Sequence, residues 1–190
     1  MAKVKNNIVT QGLSGSLGNQ IVFRKDKAGR TIVAAKPTFP DNRTFNTGQL
    51  AQQEAFRQAI NYARTAKSNE IYINRAQGTP MNAYNVAVAD WFGQPEVLEL
   101  DISGWTGQIG QTIRVKAQDD TKVVSVRVMI RENNATAIAL EQGEAVQSET
   151  DGLLWTYSTT TVVSMTPGTR LDAFAQDLPG NIGGNSMELN

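Results

Sequence analysis

The sequence contains no cysteine and no histidine among its 190 residues. Without cysteine the chain can form no disulfide, no thiolate zinc site and no cysteine nucleophile. Without histidine it lacks the base of a Ser-His-Asp triad, the HExxH metal motif and any imidazole ligand. An enzyme would have to work with carboxylates, Lys, Tyr or Ser alone. We therefore predict that the protein is not an enzyme and has no catalytic residues.

Long apolar runs are also missing. Nowhere do about 18 apolar residues follow one another, so we expect no membrane span and no membrane partner. The first residues, Met1-Ala-Lys-Val-Lys-Asn-Asn, are followed by no apolar run of about 7–15 residues, which predicts that there is no secretory signal. We expect the protein to be made in the cytoplasm.

The formal net charge of zero conceals an uneven distribution of charge along the chain. Twelve Lys and Arg against four Asp and Glu give residues 1–75 a charge of +8, and six against fourteen give residues 76–190 a charge of −8. Such polarity suits nucleic-acid binding by the basic part, head-to-tail pairing of copies, or two ordinary solvated surfaces. The sequence leaves these alternatives open.

The N-terminal segment predicts an arm followed by a β-hairpin. Gly12, Gly15 and Gly18 recur at every third position, a spacing that matches neither a Walker loop nor a Rossmann loop, so we predict a flexible arm over residues 1–19. Residues 20–25 and 30–36 are rich in β-formers and flank a short turn that ends at Gly29. Because an isolated two-stranded ribbon is marginal in water, we expect it to pack on another element or another subunit. The apolar candidates for that assembly interface are Ile8, Leu13, Leu17, Ile21 and Phe23.

Two helical patterns follow the hairpin. Asn46 and Gln49 predict a capping box for a helix over residues 47–67. Thr79 and Gly93 bracket a second helix, and the segment between the two helices fits either a short strand or a further helical turn. Basic side chains occur in the hairpin and on the polar side of the first helix, where they could contact phosphates or simply face solvent. These possible basic contacts are Arg24, Lys25, Lys27, Arg30, Arg57 and Arg64.

From residue 97 onward the apolar period changes to two. Seven β-rich runs, separated by turn signals, fill about 95 residues, which is typical of an immunoglobulin-like sandwich. We predict an α+β fold: an N-terminal β-hairpin plus two helices, followed by a seven-stranded immunoglobulin-like antiparallel β-sandwich with Trp155 in its core. The predicted domains are an arm (1–19), a hairpin-and-helix domain (20–96) and the sandwich (97–190).

Four oxygen-bearing side chains, Asp119, Asp120, Asp177 and Asn181, fall at turns that could meet at one end of the sandwich. Such ligands suit Ca²⁺. Asp and Asn are also common in turns because their side chains bond the local backbone. We prefer the turn interpretation and predict no metal site and no cofactor, with Ca²⁺ binding as the open alternative.

Two stretches of the sequence resemble known proteins. The segment Ala173-Phe-Ala-Gln-Asp177-Leu-Pro-Gly180-Asn181 resembles the Ala-x-Asp-x-x-Gly-Asn ending of bacterial immunoglobulin-like modules, and Val115-Lys-Ala-Gln-Asp-Asp-Thr-Lys-Val-Val-Ser-Val looks like their B–C hairpin. Gly12-Leu-Ser-Gly-Ser-Leu-Gly-Asn-Gln-Ile-Val-Phe-Arg, together with Thr31-Ile-Val-Ala-Ala-Lys-Pro, is similar to a group of uncharacterised Bacteroidetes proteins that also occurs in phages and mobile elements. This resemblance implies a structural component of a virion, phage tail or contractile injection particle.

These observations lead to one expected function and two alternatives. The expected function is assembly with copies of itself and with other particle proteins, through the arm and the hairpin. One alternative is a binding module for carbohydrate or a cell surface, with Tyr157 and Trp105 as the aromatic contacts. The other is a nucleic-acid binder that uses the basic residues of the first half.

Overall fold

The β-strands in the described part of the chain pair in antiparallel fashion throughout. The computed structural model describes residues 2–4, 10, 12–18, 20–25, 30–39, 43–132 and 139–189, which form twelve strands and three helices. The chain divides into two units, residues 1–50 and 51–190. The fold is therefore mixed α+β, with three helices where the sequence predicted two.

The N-terminal unit holds a sheet of four short strands in the order β1-β4-β3-β2. The predicted hairpin is formed by β3 (Ile21–Lys25) and β4 (Thr31–Ala35), and its turn lies outside the described residues. The segment predicted as a flexible arm supplies the two outer strands, β1 (Ala2–Val4) and β2 (Gly15–Leu17). The physical reason is that the open edges of a hairpin present unpaired backbone groups, which an extended segment can satisfy.

Every described side chain in the N-terminal unit is at least partly accessible to solvent, and none is buried. Leu17 is 63% exposed and Ile21 is 36% exposed. Because hydrophobic stabilisation scales with the apolar area removed from water, this sheet has no core of its own among the described residues.

The first two helices begin at side-chain caps. At the start of α1 (Thr47–Ala66), Asn46 Oδ1 accepts a hydrogen bond from the Gln49 backbone N–H at 2.8 Å, and Gln49 Oε1 accepts from the Asn46 N–H at 3.1 Å. This reciprocal pair is the predicted capping box. The segment for which the sequence allowed either a short strand or a helical turn is helical. It forms α2 (Glu70–Ala76), and Asn69 is its N-terminal cap.

The third helix, α3 (Ala83–Phe92), begins later than the sequence predicted. Thr79 does not cap it, because the Thr79 hydroxyl donates to the Ala76 carbonyl at 2.8 Å and closes the turn after α2. Asn82 is the cap instead and accepts from the Asn85 N–H at 2.9 Å. The helices share a small core of buried residues, which consists of Ala63, Tyr72, Val86 and Ala87.

Two four-stranded sheets make up most of the C-terminal unit. The first has the order β5-β6-β10-β9 and the second the order β12-β11-β7-β8. The strands are β5 (Glu96–Asp101), β6 (Thr112–Gln118), β7 (Val123–Glu132), β8 (Ala139–Glu144), β9 (Val146–Gln147), β10 (Leu154–Ser158), β11 (Thr169–Asp177) and β12 (Ile182–Glu188). These are eight strands, whereas the sequence predicted seven, because the fourth β-rich run of the sequence contains both β8 and β9.

The two sheets share one apolar core. Ile113, Val115 and Trp155 enter it from the first sheet, and Val128 and Leu171 enter it from the second. Buried and accessible positions alternate along β6 and β7, as expected for strands with one face on a core. None of the helices in the part of the chain that the structure describes is long and apolar enough to span a membrane.

The division between the two units falls between residues 50 and 51. Both α2 and α3 belong to the same unit as the C-terminal sheets. The Asn181 side-chain amide, just after β11, donates to the Gly93 carbonyl at the end of α3 at 2.8 Å. The hairpin and most of the helical segment are therefore parts of different units.

Candidate functional site

Three aspartates from two parts of the chain converge where α3 meets the turn between β6 and β7. Asp90 lies near the C-terminal end of α3, and Asp119 and Asp120 lie in the turn. One carboxylate oxygen from each residue lies within 4.8 Å of the other two. Asp90 is 1% exposed, Asp119 is half-buried and Asp120 is exposed. The acidic cluster, as we call these three residues, therefore extends from the protein interior to the surface.

Two tyrosines hold the buried end of the acidic cluster. The Tyr72 hydroxyl donates a hydrogen bond to Asp90 Oδ2. The hydroxyl oxygens of Tyr62 and Tyr72 lie 2.7 Å apart, so the hydrogen-bonded chain continues from α2 to α1. Burial raises the pKa of Asp90 to about 6, the charges of Asp119 and Asp120 add to this, and the hydrogen bond from Tyr72 opposes it. Burial also raises the pKa values of both tyrosines.

Two oxygens of the acidic cluster are buried without a partner. Within the described residues, neither Asp90 Oδ1 nor Asp119 Oδ1 has a hydrogen-bond partner. The other oxygen of Asp119 accepts from the backbone N–H groups of Thr121 at 3.0 Å and Lys122 at 2.9 Å, which fixes the carboxylate in the turn. Buried polar atoms are nearly always paired, so two unpaired carboxylate oxygens in one cluster require an explanation.

The four turn residues that the sequence offered as Ca²⁺ ligands separate into two pairs. Asp119 and Asp120 belong to the acidic cluster. Asp177 and Asn181 instead bond to each other: Asp177 Oδ1 accepts from the Asn181 N–H at 2.6 Å, and Asp177 Oδ2 accepts from the Asn181 side-chain amide at 2.7 Å. This pair closes the turn between β11 and β12, as Asp and Asn commonly do.

Asp90 is the member of the cluster that the sequence analysis missed. It lies in a helix with a strongly apolar sequence, and a single acidic residue there is the signal that could have pointed to it. Its neighbours in space come from positions 18 residues earlier and about 30 residues later, which no local pattern reveals.

The predicted assembly residues gather on the N-terminal sheet. Leu17 on β2 is opposite Ile21 on β3, and Phe23 is opposite Val33 on β4. Because residues opposite each other in antiparallel strands share a face, Leu17, Ile21 and Phe23 lie on one side of the sheet. Leu13 is exposed in the segment before β2. Ile8 lies outside the described residues.

The predicted basic contacts are distributed over both units. Arg24 and Lys25 are adjacent on β3 and so point to opposite faces of the sheet. Arg30 is exposed just before β4, and Lys27 lies outside the described residues. In α1, Arg57 and Arg64 are both exposed, and Arg57 forms an ion pair with Glu54.

The aromatic residues suggested for a ligand-binding sandwich are both in the core. Trp105 and Tyr157 are buried, and Trp155 is buried as predicted. The Tyr157 hydroxyl donates to the buried carboxylate of Glu141. Neither Trp105 nor Tyr157 is therefore accessible to a carbohydrate, which corrects the sequence-based interpretation.

No protein-family model matches the chain, and no curated protein is detectably similar to it. Among solved structures, it is similar to a hypothetical protein from Pyrococcus horikoshii, with 13% sequence identity and a TM-score of 0.28. That similarity covers 53% of this chain and 92% of the other.

Proposed function

We propose that the protein is a non-enzymatic structural component that assembles with copies of itself through residues 1–50. The observation that carries this proposal is the sheet without a core: four paired strands in which no described side chain is buried. Burying the apolar side chains on one face of a sheet is favourable, because it removes apolar surface from water. A second copy of the chain can supply an identical face, and such self-complementary contacts are common in symmetric oligomers.

Apolar exposure in the N-terminal unit continues beyond the sheet. Phe39 is 64% exposed, and Phe45 and Leu50 are exposed as well. The Arg43 guanidinium lies 4.9 Å from the ring centroids of both Phe39 and Phe45. Aromatic residues and arginine are enriched in the buried centres of protein interfaces, so this composition supports an interface.

We further propose that the C-terminal sheets form an immunoglobulin-like sandwich. The support is topological. If the eight strands are lettered A, B, C, C′, D, E, F and G in chain order, the observed sheets have the orders A-B-E-D and G-F-C-C′. An immunoglobulin constant domain has one sheet of ABED strands, and variable domains extend the GFC sheet with C′.

The particle in which the protein would assemble follows from the resemblance of residues 12–24 and 31–37 to proteins of phages and mobile elements. We propose a virion, a phage tail or a contractile injection particle, with other particle proteins as partners. The alternative of nucleic-acid binding receives less support, because Arg24 and Lys25 point to opposite faces and Arg57 is paired with Glu54. A carbohydrate-binding role also receives less support, because its aromatic candidates, Trp105 and Tyr157, are buried in the core.

Sedimentation velocity of the full-length chain tests the assembly surface. The variant carries Leu17→Lys and Ile21→Lys, which place two charges on the apolar face of the N-terminal sheet. Its matched control is Ile109→Lys, because Ile109 is 60% exposed in the C-terminal unit. We expect an oligomer for the unmodified protein and for the control, and dissociation for the double variant. A double variant that forms oligomers of unchanged size would contradict the proposal.

A further inference from the structure

We propose that Asp90, Asp119 and Asp120 form a binding site for a hard divalent cation, and that the cation is Ca²⁺. Three carboxylate oxygens lie within 4.8 Å of one another. Like charges at this distance repel, most strongly where the surroundings are buried. A divalent cation among them would reverse the repulsion and connect α3 to the turn between β6 and β7.

The buried state of Asp90 is the observation that points to a ligand rather than to a solvated acidic patch. Asp90 is 1% exposed, and its Oδ1 has no hydrogen-bond partner among the described residues. Its other oxygen is already held by Tyr72. Burying a carboxylate oxygen without a partner is costly unless a cation or a donor satisfies it. Asp119 Oδ1 is unpartnered in the same way, so two members of the cluster each offer an unused oxygen.

The ligand type favours a hard cation, and the tolerance of Ca²⁺ for irregular geometry favours Ca²⁺ over Mg²⁺. Carboxylate oxygens are the ligands of Ca²⁺ and Mg²⁺, whereas sites for softer metals use sulfur or imidazole, which this chain lacks. Two ligands on opposite sides of Ca²⁺, at about 2.3–2.6 Å each, are about 4.6–5.2 Å apart. Around Mg²⁺ the same separation is only about 4.2 Å. Oxygens within 4.8 Å of one another fit around one Ca²⁺ ion, and Ca²⁺ tolerates irregular geometry, whereas Mg²⁺ demands a near-ideal octahedron.

Solvent can reach the proposed site. A groove beside the acidic cluster is lined by Arg75, Val86, Asp120 and Thr121, among others, and Asp120 itself is exposed. The Arg75 side chain donates to the Asp120 backbone carbonyl and so fixes the turn without occupying the Asp120 carboxylate. Ca²⁺ could enter from this side, take its remaining ligands from water, and bind the buried oxygen of Asp90 at its inner end.

The test is a calorimetric titration of the full-length protein with CaCl₂, together with thermal melts in Ca²⁺ and in EDTA. The key variant is Asp120→Asn, because its exposed side chain can lose its charge without disturbing the interior. Asp151→Asn is the matched control: Asp151 is an exposed turn residue whose Oδ1 accepts from the Leu153 N–H at 3.0 Å.

We expect Ca²⁺ to bind the unmodified protein and to raise its melting temperature, because a ligand that binds the native state stabilises it. Asp120→Asn should weaken binding by at least about tenfold, since Ca²⁺ affinity follows the charge of the ligands. Asp151→Asn should leave the affinity unchanged. Asp119→Asn, checked for folding by circular dichroism, should also weaken binding. An unmodified protein that gives neither heat nor a melting shift at millimolar Ca²⁺ would overturn the proposal, as would binding that both cluster variants retain in full.

Discussion

The hydroxyl of Tyr157, on β10 of one sheet, donates a hydrogen bond of 2.8 Å to Oε1 of Glu141, on β8 of the other sheet. Glu141 is 4% exposed, and no ion pair with it occurs among the described residues. Its charge is balanced instead by donors from the segment after β10: the Thr160 N–H and hydroxyl, and the Thr161 N–H and hydroxyl. A single carboxylate thus connects the two sheets and fixes the loop that follows β10.

Replacing this carboxylate by an amide should destabilise the fold. In Glu141→Gln, the amide oxygen can take the place of Oε1, which accepts four of the five hydrogen bonds, and the NH₂ group can take the place of Oε2 beside the Thr161 hydroxyl, so the main loss is the negative charge that these donors stabilise. We expect a loss of about 1–2 kcal/mol in the free energy of unfolding, because hydrogen bonds to a charged acceptor contribute more than hydrogen bonds between neutral groups. The measurement is urea denaturation. Glu144→Gln, on the same strand but exposed, is the control and should change the free energy by about 0.5 kcal/mol or less.

Glu141 also predicts how stability depends on pH. Burial alone would raise its pKa, but the hydrogen bonds from Thr160, Tyr157 and Thr161 together lower it below the ordinary value of 4.5. A carboxylate whose pKa is lower in the folded state stabilises the fold above its unfolded pKa, and loses that contribution as the pH falls through the folded pKa. Tyr157 stays protonated throughout, because burial and the Glu141 carboxylate raise its pKa to about 12.

We therefore expect the stability difference between the unmodified protein and Glu141→Gln to be largest near neutral pH and to shrink below about pH 4.5. Urea melts of both proteins at several pH values between about 7 and 3 would measure it. A difference that stayed constant, or grew, on acidification would show that the charge of Glu141 is not what the surrounding donors stabilise.

Gly143 tests the packing around the same tyrosine. A Cβ at this position would lie 2.5 Å from Tyr157 Cε2 and 3.0 Å from its hydroxyl oxygen. Because the ring is buried and held by Glu141, it cannot easily move away, and Gly143→Ala should cost about 1–3 kcal/mol as overpacking does. Gly152→Ala is the control, since a Cβ there would meet only a Gln147 side-chain atom at 3.9 Å. Equal stabilities of the two alanine variants would contradict this description of the core.

The sequence predicted the C-terminal strands well, because alternation of apolar residues reports directly which face meets a core. It failed where pairing changes register. Strict alternation along β7 would place Val124 on the same face as Val126, but Val123 is buried and Val124 is exposed. Ser125 is opposite Gln176, whereas Val123 is opposite Asp177, so Val124 is the extra residue of a β-bulge. Because a bulge depends on how a strand pairs with its partner, the sequence of β7 alone does not reveal it.

The candidate cation site could likewise be predicted only in part from the sequence. The sequence pointed to the turn at Asp119 and Asp120, because clustered aspartates in a turn are a local signal. It could not identify Asp90, which reaches the cluster only through the packing of α3 on the β6–β7 turn. It also grouped Asp177 and Asn181 with the cluster, although their mutual hydrogen bonds occupy them.

The central claim, self-assembly through an apolar N-terminal face, is tested most directly by sedimentation velocity of the full-length chain from about 50 to 500 mM salt. Screening at the higher salt concentration weakens contacts between the +8 and −8 parts of neighbouring chains, whereas apolar contacts are not screened. Exposed ion pairs typically contribute only about 0–1 kcal/mol each, so we expect the apolar contribution to be the larger one. The account predicts a defined oligomer that persists, with little change in size, across the whole range. A chain that sediments as a monomer at every salt and protein concentration would contradict it.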